Sequence, residues 1–170
     1  MKKVFFLAAL LVCSIAAQAQ RFALADMEYI LKQIPAYEQA NQQMESLSKQ
    51  WQSEVEAKAQ EAKTMYDEYQ KNASNLSATQ KTAQENAIIA KEKEAADLRK
   101  KYFGPEGEGM KKRQELITPI QDAIYNAIKD IATQKNYDAV IDRASAQSMI
   151  FASPRIDISN EVLAKLGYSN

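Results

Sequence analysis

The sequence has no histidine and only one cysteine, Cys13, in 170 residues. Without imidazole, the commonest general base near neutral pH and the commonest transition-metal ligand are both missing. With a single thiol, no disulfide can form within the chain. Neither sign of charge is in excess, since 22 Lys and Arg face 22 Asp and Glu. That balance argues against a nucleic-acid partner, which demands a strongly basic face. Glycine and proline number four each, the glycines at 104, 107, 109 and 167 and the prolines at 35, 105, 119 and 154. Between Pro35 and Gly104 neither residue occurs, so no strong helix breaker lies there.

The one long apolar run stands at the start. Lys2 and Lys3 precede residues 4–15, which are apolar except for Cys13 and Ser14, and Ala17-Gln18-Ala19 follows as a small-x-small signal. A permanent membrane span needs about 20 apolar residues, more than this run supplies. Residues 1–19 therefore read as a signal peptide cut between Ala19 and Gln20, which implies export. Lipidation at Cys13 does not fit, because bulky Val12 stands where such signals want a small residue. Cleavage removes the cysteine and two lysines, leaving 20 basic against 22 acidic residues and a mature charge of −2.

What is present is helical periodicity. From Pro35 onward Tyr37, Ala40, Met44, Leu47, Trp51, Val55, Ala62, Met65 or Tyr66, and Tyr69 form one apolar stripe, with Lys58 filling an expected apolar slot. The step of four from Trp51 to Val55 departs from a strict heptad and relaxes the supercoil locally. A polar stretch at 72–78 interrupts the pattern, which resumes with Ile88, Ala95, Leu98 and Tyr102 and then Ile117, Ile120, Ile124, Ile128 and Ile131. Two long helices around a short polar turn read as an antiparallel hairpin over 35–114. Its outer part has few large apolar residues and is expected to be mobile.

The flanks read differently. Alternation in residues 22–26, 137–143 and 148–152 predicts one N-terminal and two C-terminal strands, followed by a short helix ending at Gly167. The fold class is α+β and predominantly α. Residues 20–34 and 115–170 make a small β body, and the helical hairpin is inserted into it. So open a sheet, together with the isoleucine stripe, needs covering, most simply by further copies of the chain.

Few constellations could carry chemistry. Gly104-Pro105-Glu106-Gly107-Glu108-Gly109 has the glycine spacing of a phosphate loop, but Met110 and Lys111 stand where Lys and Ser or Thr belong. Gly104, Pro105, Gly107 and Gly109 instead predict a hinge in the returning helix. Carboxylates are interleaved with lysines along helix faces, a pattern of solvated surface rather than of acid–base catalysis. No cofactor and no metal are expected, and no enzyme. Two adjacent short sequons, Asn72-Ala73-Ser74 and Asn75-Leu76-Ser77, suit a polar turn equally well. The basic pairs and triplets at 100–101 and 111–113 allow transient contact with an anionic membrane surface. Trp51, Met65, Tyr66 and Tyr69 have two readings, as the packing seam of the hairpin or as a contact surface for a bound polypeptide.

The strand Phe22-Ala23-Leu24-Ala25-Asp26, the long polar hairpin, Tyr137-Asp138-Ala139-Val140-Ile141-Asp142 and the ending Ile156-Asp157-Ile158-Ser159-Asn160-Glu161-Val162-Leu163 together resemble the Skp/OmpH family of periplasmic chaperones. The resemblance covers residues 21–168. It implies a jellyfish-like homotrimer whose helical arms enclose unfolded outer-membrane β-barrel proteins, without ATP. The chain departs from the family in charge, being slightly acidic where typical members are strongly basic. A structural spacer or adaptor of the cell envelope is the competing expectation.

Overall fold

The computed structural model describes residues 21–146 and 148–168. The expected cleavage site at Ala19 and Gln20 lies outside the described residues. The described residues divide into two compact units, residues 21–34 with 122–168 and residues 35–121.

The first unit is built on strand β1, Phe22–Ala25, which pairs in parallel with β2, Ala139–Asp142, in the register Phe22 to Ala139 through Ala25 to Asp142. Parallel neighbours cannot be joined by a tight turn, so a long connection must separate them in sequence. The other edge of β1 is also occupied. The Ile158 N–H donates to the Leu24 carbonyl at 2.8 Å, and the Asp26 N–H donates to Ser159 Oγ at 2.8 Å. Ala23, Leu24 and Ala25 are consequently buried.

One expectation is corrected here: residues 148–152 form no strand. Alternation marks a segment that suits a sheet, but it supplies no partner strand. Here both edges of β1 are used, by β2 and by residues 157–158. The chain after β2 is bound into successive turns, with Ala146 N–H donating to the Arg143 carbonyl and Met149 N–H to that of Ala146. Ile150 and Phe151 are left 101% and 83% exposed.

Helix α1, Met27–Lys32, was not anticipated; its N-cap Asp26 accepts from the Tyr29 N–H at 2.8 Å. Leu24, Ile30, Ile124 and Val162 are the large side chains most completely buried in this unit, joined by Ile131, Ile158 and Leu163. Val162 and Leu163 come from the last helix, α5, Ser159–Lys165. It ends as expected at Gly167, whose φ of +84° is the left-handed conformation that glycine adopts without cost. The Tyr168 N–H then reaches back to the Leu163 carbonyl at 2.8 Å.

The second unit holds α2, Pro35–Asn72, and α3, Ala78–Phe103, and the beginning of α4, Glu108–Lys135. Pro35 opens α2, where a missing N–H costs nothing. The 38 residues of α2 span about 57 Å at 1.5 Å per residue. A short 3-10 turn, Ala73–Asn75, follows. Ser77 then starts α3 with a capping box: its Oγ accepts from the Gln80 N–H, and its own N–H donates to Gln80 Oε1 at 2.9 Å.

Helices α2 and α3 run antiparallel, because contacts climbing α2 descend α3. Trp51 and Glu54 meet Tyr102, Glu61 meets Lys91, and Tyr69 meets Glu85. The buried positions Trp51, Val55 and Ala62 on α2 and Ile88, Ala95 and Tyr102 on α3 form the seam. Helix α3 stops at Phe103, and Gly104 is its C-cap. At Gly107 an added Cβ would stand 2.8 and 2.9 Å from the carbonyl oxygens of Lys101 and Tyr102, closer than real Cβ atoms come. Glycine is sterically required at this break.

Candidate functional site

The second unit contains the residues singled out from the sequence, and it does not treat them alike. Trp51 is 8% exposed and stacks on Tyr102 with ring centroids 5.1 Å apart and planes 12° from parallel. Phe103 meets the edge of this pair at 6.3 Å from Trp51. Val55, Leu47 and Leu98 complete the cluster. Trp51 therefore spends its surface on the seam.

Tyr102 Oη donates to Glu54 Oε2 at 2.5 Å. This bond holds the Glu54 carboxyl below its ordinary value and raises the Tyr102 phenol. Further along α2, the bond from Tyr69 to Glu85 raises the Tyr69 phenol in the same way.

Met65, Tyr66 and Tyr69 lie one to two helical turns beyond Ala62. Met65 and Tyr69 are half-buried, and Tyr66 is 45% exposed. Of the two stripe candidates, Met65 takes the inner side and Tyr66 the outer. Beside Tyr66, Ala59, Ala62 and Lys63 of α2 and Glu92 and Ala95 of α3 line a groove of 330 Å³. No sequence signal marks it, because alanines look like ordinary helix formers until two helices place them opposite one another.

The break at 104–109 joins the aromatic cluster: a Cβ on Gly109 would stand 3.5 Å from the Trp51 ring. Around it, Asp97, Lys100, Lys101, Glu106, Glu108 and Lys111 line an open cavity of 640 Å³. Its charges are mixed, and Lys101 and Glu108 approach to 3.7 Å. Among the described residues no carboxylate group is clustered as a metal site, and no helix is long and apolar enough to cross a membrane.

The first unit has a polar knot with a structural role. Asp157 Oδ1 accepts from both the N–H and the Oγ of Ser159, at 2.9 and 2.6 Å, and Arg143 pairs with Oδ2 at 3.1 Å. Burial by itself raises the Asp157 carboxyl, but the Ser159 bonds and Arg143 outweigh it, and the net shift is downward from 3.8. A carboxyl held below its unfolded value adds stability at higher pH and loses it as pH falls through the folded value. Acid titration of the folded protein should show this loss below about pH 4, and Asp157→Asn should flatten that part of the stability profile. An unchanged profile in the variant would remove the knot from the account.

The small two-stranded sheet and the long helices are consistent with one known family. The family described as outer membrane protein (OmpH-like) matches residues 21–166. The chain belongs to this family. Among its relatives, the chaperone protein Skp of Yersinia enterocolitica is 28% identical over 158 residues, 92% of each chain. The chaperone protein Skp of Photorhabdus laumondii is 28% identical over 154 residues, 90% of each. That of Pectobacterium atrosepticum is 24% identical over 148 residues, 87% of this chain and 86% of its own.

Proposed function

We propose that this chain is an ATP-independent periplasmic holdase that keeps unfolded outer-membrane β-barrel proteins from aggregating, with no catalytic step. The observation that carries the reading is family membership over almost the whole chain, with relatives named as chaperones. The physical character of the second unit supports it. A two-helix seam leaves most of each helix in solvent, where shallow contacts can form and release. A contact burying 50 Å² of apolar surface contributes only about 1 kcal/mol, weak enough that the bound chain can leave without an energy source. Met65, Tyr66 and Tyr69 are the contact residues in this reading. Trp51, already stacked on Tyr102, serves the seam instead.

The protein works as a homotrimer whose helical arms surround the client, and each copy is exported with cleavage between Ala19 and Gln20. The trimer is supported by apolar side chains of the first unit that stand in solvent in a single chain, Phe22, Ile141, Ile150 and Phe151. Residues 104–109 are the flexible joint that lets the arms adapt to clients of different size. With a mature charge of −2, apolar contacts outweigh charge.

The test is dilution of a urea-unfolded outer-membrane β-barrel protein into buffer with and without the purified chain, followed by light scattering. Aggregation should be suppressed without nucleotide, and added salt should not abolish the effect. Equal scattering with and without the chain would sink the reading.

A further inference from the structure

The groove between α2 and α3 has a lining whose chemistry selects an occupant. Its floor is Ala62 and Ala95, both buried, the exposed Ala59 adds a third methyl at one side, and the exposed ring of Tyr66 forms one wall. Lys63 on α2 and Glu92 on α3 stand at the rim. Neighbouring charges on the same seam are joined: Lys58 to Glu61 at 2.8 Å, Glu61 to Lys91 at 3.7 Å, and Lys91 to Glu94 at 2.8 Å. Lys63 and Glu92 carry no ion pair among the described residues, although both border the same 330 Å³.

We infer that this groove receives one aromatic side chain of the unfolded client, tyrosine foremost. The inference rests on the holdase reading and names what that site selects. A flat ring fits a methyl-lined slot and meets the Tyr66 ring in the offset or edge arrangement that aromatic pairs favour. A charged side chain gains from one rim group what it loses to the other, so the pair favours neither sign. A phenol satisfies both, because its hydroxyl accepts from an ammonium and donates to a carboxylate. Outer-membrane β-barrels carry girdles of aromatic residues at both interfaces, on strands where apolar and polar residues alternate. An unfolded chain of that class therefore offers rings flanked by polar neighbours, which suits an apolar floor with a charged rim.

The experiment titrates full-length protein, labelled at alanine methyl groups, with flexible peptides of one length that differ only in carrying tyrosine, leucine or lysine. The tyrosine peptide should bind about fivefold tighter than the leucine peptide. Ring-current shifts should appear at Ala59, Ala62 and Ala95 and not at Ala139. Ala59→Leu fills the slot from an exposed position and should erase the tyrosine preference. The double variant Lys63→Ala with Glu92→Ala leaves the seam intact and should weaken tyrosine binding toward the leucine level. Equal affinity for tyrosine and leucine, or shifts spread evenly over the alanines, overturns the inference. If that happens while the parent still suppresses aggregation, the holdase reading stands and only the groove is wrong. Loss of all protection by the parent removes the reading itself.

Discussion

Replacing Ile124 with aspartate is expected to unfold the β1 unit. Ile124 is 0% exposed and lies on the face of α4 that also buries Ala127 and Ile131. Truncating a buried aliphatic residue to alanine already costs about 2–5 kcal/mol. Aspartate adds the desolvation of a carboxylate with no partner, several kcal/mol more. Together these approach the whole stability of a small domain, about 5–15 kcal/mol. Periodicity predicted an isoleucine stripe in need of cover, and cover from further copies was the simplest source. The chain covers Ile124 itself, so the damage falls on folding of each chain and not only on its assembly. Circular dichroism during heating should show the lost transition, and a urea midpoint equal to the parent's would contradict the placement.

Trp51→Ala should produce the second largest effect. It empties the centre of the cluster formed with Tyr102, Val55, Leu47 and Leu98. A buried tryptophan cut to alanine costs about 3–5 kcal/mol, and this includes the stacking with Tyr102. The seam between α2 and α3 has few other large apolar side chains to compensate, chiefly Ile88. Hydrogen exchange should accelerate through α2 and α3 while Leu24 and Val162 stay protected. Trp51→Phe should recover much of the loss, because a ring remains to stack. Unchanged protection in Trp51→Ala would mean that the aromatic cluster does not hold the two helices together.

The long helices were legible because the sequence withholds every signal that would end them. Pro35 marks the start of α2, and Gly104 caps the end of α3. Gly167 was read as the terminal stop for the same reason, since a left-handed residue must usually be glycine. The left-handed Asn136 that closes α4, with φ of 55°, carries a weaker signal and was missed. Helix α1 was missed because six residues are too few to show a period, and its cap Asp26 was read as the end of the strand. Residues 148–152 were misread because alternation reports a suitable side-chain pattern and says nothing about a free strand edge. At the candidate site, the stripe grouped Trp51 with Met65, Tyr66 and Tyr69. Only the pairing of α2 with α3 separates the stacked tryptophan from the exposed tyrosine. The alanine-floored groove had no signature at all, since its apolar character comes from Ala59 and Ala62 of α2 and Ala95 of α3 brought face to face.

The most direct measurement of the central claim compares the whole protein with one in which residues 57–93 are replaced by a short flexible loop. The Trp51 and Tyr102 cluster is kept, so the remaining seam retains its largest contacts. Light scattering of an unfolded outer-membrane β-barrel protein diluted from urea reads the result. The account predicts that the shortened protein folds, by circular dichroism and melting, and no longer suppresses aggregation. Undiminished protection by the shortened protein would contradict it, because the helical arms would then not be the element that holds the client, and a spacer role for them would be favoured.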